Sequence, residues 1–80
     1  MMLGKVFKKN IVLKPTQVQD FVREATKCDF DVDIYYNRYV VDAKSILGVF
    51  NLDLTKTLTV EYNGSNQQFE QYLNGLASVG

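Results

Sequence analysis

The chain has 80 residues, 46% hydrophobic and 22% charged, with 9 basic side chains balanced by 9 acidic ones. A chain of this length buries only about 60% of its unfolded surface and supports one core, so a single domain over residues 1–80 is expected. Its zero formal charge supplies no bulk attraction toward nucleic acid or anionic lipid; Lys5, Lys8, Lys9 and Lys14 make a local basic bias best explained as solvated surface.

The residue inventory excludes more. With Cys28 the one cysteine and no histidine anywhere, neither an internal disulfide nor the common zinc, copper and haem ligand sets can be assembled. Histidine is also the side chain most used for proton transfer near neutral pH and for carrying phosphate on nitrogen. The lysines at 5, 8 and 9 interrupt the N-terminal apolar stretches, leaving no secretory core and nothing near the ~20 apolar residues of a membrane span. A cytoplasmic protein without metal, cofactor or membrane contact is the expectation.

In chain order, residues 2–8 suit an edge strand with Leu3 and Phe7 sharing the inward face. Within 15–27, Val18, Phe21, Val22 and Ala25 recur at i, i+3, i+4 and i+7, the spacing of one helix face. Pro15 fits a first helical position, whereas Thr16 followed by Gln19 offers a capping box slightly later, so the start is open. Phe30, Val32, Ile34 and Tyr36 alternate with Asp29, Asp31, Asp33 and Tyr35, predicting a strand with one acidic face. Asn37-Arg38 then serves as a tight turn into a strand over 39–42, asparagine tolerating positive φ better than arginine.

A short helix is predicted over 45–52, followed by Asp53 where glycine would end a helix more easily. Leu58, Val60 and Tyr62 alternate with Thr57, Thr59 and Glu61 as the last strand. Asn63-Gly64 turns the chain toward Ser65, which with Gln68 matches a capping box for a final helix carrying Phe69, Tyr72, Leu73 and Leu76 on one stripe. One-sided patterns throughout predict an α+β fold of order βαββαβα: an open-faced sandwich, its four-stranded antiparallel sheet covered by three helices on one face.

Several groupings invite a functional reading. Asp29, Asp31 and Asp33 share the spacing that opens a calcium loop, but Ile34 stands where that loop needs glycine and Val40 where it needs a bidentate acid. They are better explained as the wet side of a strand. Cys28 has only Lys27 beside it to stabilise a thiolate, so no catalytic cysteine is expected. Lys14 and Thr16 at the entrance of the first helix are candidates for holding an anion against unpaired N–H groups.

Ser45 has a structural role available as an N-cap. What capping does not explain is the bulk of Ile46, Leu47, Val49 and Phe50 on so short a helix, more than one inward stripe uses. Part of that set should face outward, as a docking surface beside a modifiable hydroxyl.

The run "DAKSILGVFNLDL", residues 42–54, closely resembles the segment around the regulatory serine of HPr, the small phosphocarrier family of the bacterial phosphoenolpyruvate-dependent sugar phosphotransferase system, in its Gram-positive form. "FVREA", residues 21–25, resembles the first helix of that family, and the spacing between the runs fits without insertions. The resemblance covers practically the whole chain and implies an HPr-like fold. In this register the family's phosphate-accepting histidine falls on Lys14, its neighbouring arginine on Thr16 and its helix-opening proline on Gln17. A second register pairs Lys14-Pro15 with the family's Arg-Pro, at the cost of an insertion before Phe21, and puts Val12 at the histidine position. Neither restores a phosphohistidine, so phosphocarrier activity is expected to be absent.

What the resemblance carries over is Ser45, with Lys44 before it and Ile46, Leu47 and Phe50 after it. In the family this serine is the target of an ATP-dependent HPr kinase/phosphorylase, and the phosphorylated form binds a catabolite-control transcription regulator through the apolar patch. The resemblance therefore implies a regulatory protein of carbon catabolite control, not an enzyme, phosphorylated at Ser45 and without direct nucleic-acid contact, comparable to the histidine-less paralogue Crh. A monomer is favoured. The alternatives are an anion or small-molecule binding module at Lys14 and Thr16, and an unphosphorylated interaction relic in which Ser45 merely caps.

Overall fold

A computed structural model describes residues 5–77. Its elements run β1 (Phe7–Ile11), a 3-10 turn (Pro15–Gln17), α1 (Val18–Thr26), β2 (Val32–Tyr36), β3 (Tyr39–Asp42), α2 (Ile46–Phe50), β4 (Leu58–Tyr62) and α3 (Gln67–Leu76). The strands form one antiparallel sheet in the order β1-β4-β2-β3. Because β1 and β4 pair from Phe7↔Tyr62 to Ile11↔Leu58 and β2 continues the sheet with Ile34↔Val60, side-chain alternation gathers Ile11, Ile34, Leu58 and Val60 on one face. All four are fully buried.

The helices cover that face with the residues their spacing predicts. Val18, Phe21 and Ala25 of α1 and Phe69 and Leu73 of α3 are buried, with Val22, Tyr72 and Leu76 packed around them. Tyr62 sits between aromatic neighbours: Phe7 and Phe30 stack on it with ring centroids 5.6 and 6.0 Å away, and Phe69 meets it edge-on at 5.6 Å. Such contacts add about 0.5–1.5 kcal/mol each beyond the area they bury. The opposite face, with Asp33, Tyr35 and Glu61, is open to water, as an antiparallel sheet permits.

Several boundaries differ from the expectation, each for a local reason. The first strand covers Phe7–Ile11 rather than 2–8; Leu3 lies outside the described residues. Phe7 does face inward onto Tyr62 but stays 41% exposed, and Ile11, out of sight of a pattern crowded with lysines, is the anchor.

The first helix opens in the manner Pro15 suggests: the Lys14 N–H donates to Gln17 Oε1 at 2.9 Å and Pro15 holds the first position, so the Thr16/Gln19 box is not used. The final helix is capped not by Ser65 but by Asn66, whose Oδ1 accepts from the Phe69 N–H at 3.0 Å; asparagine ranks with serine in that role.

Asp53 needs no glycine, because its Oδ1 accepts from both the Thr55 N–H at 3.1 Å and the Thr55 hydroxyl at 2.6 Å, an Asx-type turn. The Asn37-Arg38 turn has φ of 55° at Asn37, the only non-glycine residue with positive φ among those described.

Candidate functional site

Ser45 stands in extended conformation at the N-cap of α2, with φ −106° and ψ 109°. Its Oγ accepts from the Gly48 N–H at 3.2 Å, and its carbonyl accepts from the Val49 N–H at 3.0 Å. The turn that delivers it is built on Asp42 at the end of β3. The Asp42 carbonyl accepts from the Ser45 N–H at 2.9 Å, and its side chain accepts from the Lys44 N–H at 2.9 Å. Gly48 is where α2 meets β3: a Cβ there would lie 3.2 Å from the Val41 Cβ and 3.3 Å from the Ser45 Oγ, closer than such contacts normally settle.

α2 turns Val49 into the core and leaves Ile46, Leu47 and Phe50 exposed by 37%, 75% and 46%. A helix of five residues has one inward position to fill, so the excess apolar bulk goes to water. Lys44 behaves differently from its neighbours. Its Nζ donates to the Cys28 carbonyl at 3.0 Å, tying the serine turn to the chain just past the end of α1, where unpaired carbonyls favour a cation.

Lys44 rather than Lys27 is the cation close to the Cys28 thiol, because Lys27 is turned to Glu24 at 3.2 Å. Burial nevertheless pushes the thiol up from its ordinary value, with Lys44 opposing. A buried thiol so disposed is a core side chain, not a nucleophile.

Lys14, Thr16 and Gln17 occupy the other end of α1. Gln17 is committed to the Lys14 backbone through its side chain and its own N–H, the latter at 2.8 Å; Lys14 and Thr16 are exposed. Since Lys44 meets the chain beyond the C-terminus of α1 while Lys14 precedes its N-terminus, the nine residues of α1 hold the two predicted sites roughly 13 Å or more apart. They are two places, not one.

A family model described as the PTS HPr component phosphorylation site matches residues 13–79. The chain belongs to the HPr family. Its open four-stranded antiparallel sheet with three helices is the HPr-like α+β sandwich, and members of the family are phosphocarriers rather than enzymes. Against that background the composition is unusual, for the 80 residues contain no histidine to carry phosphate on an imidazole nitrogen. No helix among the described residues is long and apolar enough to cross a membrane.

Two features escape sequence patterns. A cleft of about 260 Å³ is lined by Tyr36, Tyr39, Asn51, Leu52 and Asp53, between the β2–β3 turn and the end of α2. Residues so far apart in sequence give no periodic signal. The Lys44–Cys28 tie is equally invisible; its one trace in the sequence is a lysine directly before an N-cap serine.

Proposed function

We propose that this HPr-like protein is a regulatory member of the bacterial sugar phosphotransferase system, phosphorylated at Ser45 by an HPr kinase/phosphorylase and incapable of carrying phosphohistidine. The observation that carries the proposal is the exposed Ser45 cap beside Ile46, Leu47 and Phe50, three apolar side chains open to water in a chain without histidine. Lys14, at the family's histidine position, carries an ammonium that neither accepts phosphate from a charged enzyme nor passes it to a permease.

Phosphorylation adds a charge of about −1.5 to −2 where the first N–H groups of α2 lack intrahelical partners. Phosphate oxygens accept from those groups at least as well as the hydroxyl does. The modified residue then labels an apolar surface without melting the helix. A catabolite-control transcription regulator, in the cytoplasm of a Gram-positive bacterium, is the partner such a surface fits: Ile46, Leu47 and Phe50 supply contact area, and the phosphate with Lys44 supplies the polar rim.

Incubation with HPr kinase and ATP followed by mass spectrometry tests the proposal. One phosphate on Ser45, absent from Ser45→Ala, is expected. A wild-type chain that stays unmodified while authentic HPr in the same tube is phosphorylated removes the kinase-substrate claim.

A further inference from the structure

β3 is the last strand of the sheet, with β2 on one side and none of the described elements extending the sheet on the other. Tyr39 and Val40 on it are 67% and 58% exposed. The β2–β3 hairpin closes with Tyr36↔Tyr39 around a two-residue turn, followed by Tyr35↔Val40 and Ile34↔Val41.

In a hairpin of that kind the closing pair exchanges hydrogen bonds and the next does not, in alternation. Tyr39 and Val41 therefore direct their backbone groups to β2. The N–H and C=O of Val40, the N–H of Asp42 and the C=O of Arg38 point out of the sheet.

We propose that this edge pairs with the same edge of a second copy, antiparallel about a twofold axis at Val40. In that register Val40 meets Val40 of the second copy, exchanging N–H···O bonds in both directions, and each Asp42 N–H donates to the Arg38 carbonyl opposite. A shift of one residue sets outward-pointing groups against inward-pointing ones, and a shift of two sets Asp42 against Val40.

The side chains agree with the backbone. Arg38 falls opposite Asp42 of the second copy, twice by symmetry, and Tyr39 falls opposite Val41, an aromatic-to-β-branched pair of the kind that stabilises sheets.

Charge on the open face gives this register its complementarity. Asp33 stands directly across from Asp42 on β3 and from Glu61 on β4, and burial together with Asp42, Glu61 and Asp31 pushes its carboxyl above the ordinary value. Like charges directly opposed are destabilising. Lys8 answers Glu61 at the far end of this row, at 3.9 Å, and an arginine from the second copy beside Asp42 supplies a cation at the near end.

The edge is short, so the association is weak. It departs from the monomer expected from the sequence, and it requires no phosphorylation of Ser45.

Sedimentation velocity over a concentration series, with amide exchange on the same samples, tests the pairing. A monomer–dimer equilibrium weakened by salt is expected, with the Val40 and Asp42 amides gaining protection as concentration rises while the inward Tyr39 and Val41 amides are protected throughout. Arg38→Glu turns two exposed attractive pairs into repulsive ones and should weaken association roughly tenfold; this turn position is solvent-exposed. A monomer at every concentration overturns the proposal and leaves the edge to a strand of another protein. So does a dimer in which the Val40 amide stays labile or which Arg38→Glu leaves intact.

Discussion

The ammonium of Lys44 reaches the carbonyl of Cys28, 16 residues earlier, at 3.0 Å. The residue preceding the candidate phosphorylation site is thus a strut between the serine turn and the end of α1. A hydrogen bond to a charged group contributes about 1.5–3 kcal/mol when buried and less when partly wet. Lys44→Met, which keeps the apolar stem and loses the bond, should lower stability by about 1 kcal/mol, read as a drop in urea midpoint. Because Lys44 opposes the upward push of burial on the Cys28 thiol, the same variant should move the pH profile of thiol alkylation further upward.

Capping and modification at Ser45 separate by substitution. Ser45→Ala removes the acceptor of the Gly48 N–H and should cost about 1 kcal/mol. Ser45→Asp, whose carboxylate caps as well as the hydroxyl, should melt within a degree or two of wild type, on the order of a few tenths of a kcal/mol. A Ser45→Asp variant as unstable as Ser45→Ala would show that a charge is not accommodated there.

Stability should fall on the alkaline side. The Tyr62 hydroxyl is buried without a well-formed hydrogen bond; burial, followed by the hold of the nearby Glu70 carboxylate on its proton, pushes its pKa up from the ordinary 10.0, although Glu70 is itself engaged by Lys9 at 3.5 Å. The unfolded chain releases this proton at the ordinary value and the folded one only higher. The stabilisation of the neutral phenol is complete below that value and is lost as pH climbs through it toward the folded one. Burial pushes Cys28 and Tyr72 the same way. Tyr62→Phe removes a poorly paired buried hydroxyl and should leave neutral-pH stability unchanged or raise it by up to about 1 kcal/mol, with a shallower alkaline decline in urea midpoint.

At Gly64 the requirement is space. The glycine has no positive φ, yet a Cβ there would fall inside the Phe30 ring, which itself stacks on Tyr62. Gly64→Ala should cost about 1–3 kcal/mol by displacing that ring. In the Phe30→Ala background most of the penalty should vanish, as a double-mutant cycle of thermal midpoints would record.

That glycine illustrates what a sequence shows and what it hides. Asn63-Gly64 marks a turn by composition, but the reason glycine stands there comes from a ring more than thirty positions away. The stripe Val18, Phe21, Ala25 and the alternation Val32, Ile34 are legible because burial repeats with the period of the element itself. The extent of the first strand is hidden because Lys9 holds an inward position between Phe7 and Ile11, and Ile11 does the anchoring.

At the candidate site, the excess of apolar bulk over one inward position announced that part of the set Ile46, Leu47, Val49 and Phe50 faces water; that Val49 is the one turned inward was not legible. That Lys44 is a strut, and that Asp42 builds the turn, depends on contacts between elements that no local pattern encodes.

Asp42 belongs to two neighbourhoods at once. Its carbonyl and carboxylate hold the backbone of Ser45 and Lys44, while its N–H and its position across from Asp33 belong to the free edge of the sheet. A charge added at the serine and a strand added at the edge would both act on this one residue, and a coupling between them would be equal in both directions. Any linkage between the proposed modification and the proposed self-pairing would run through Asp42.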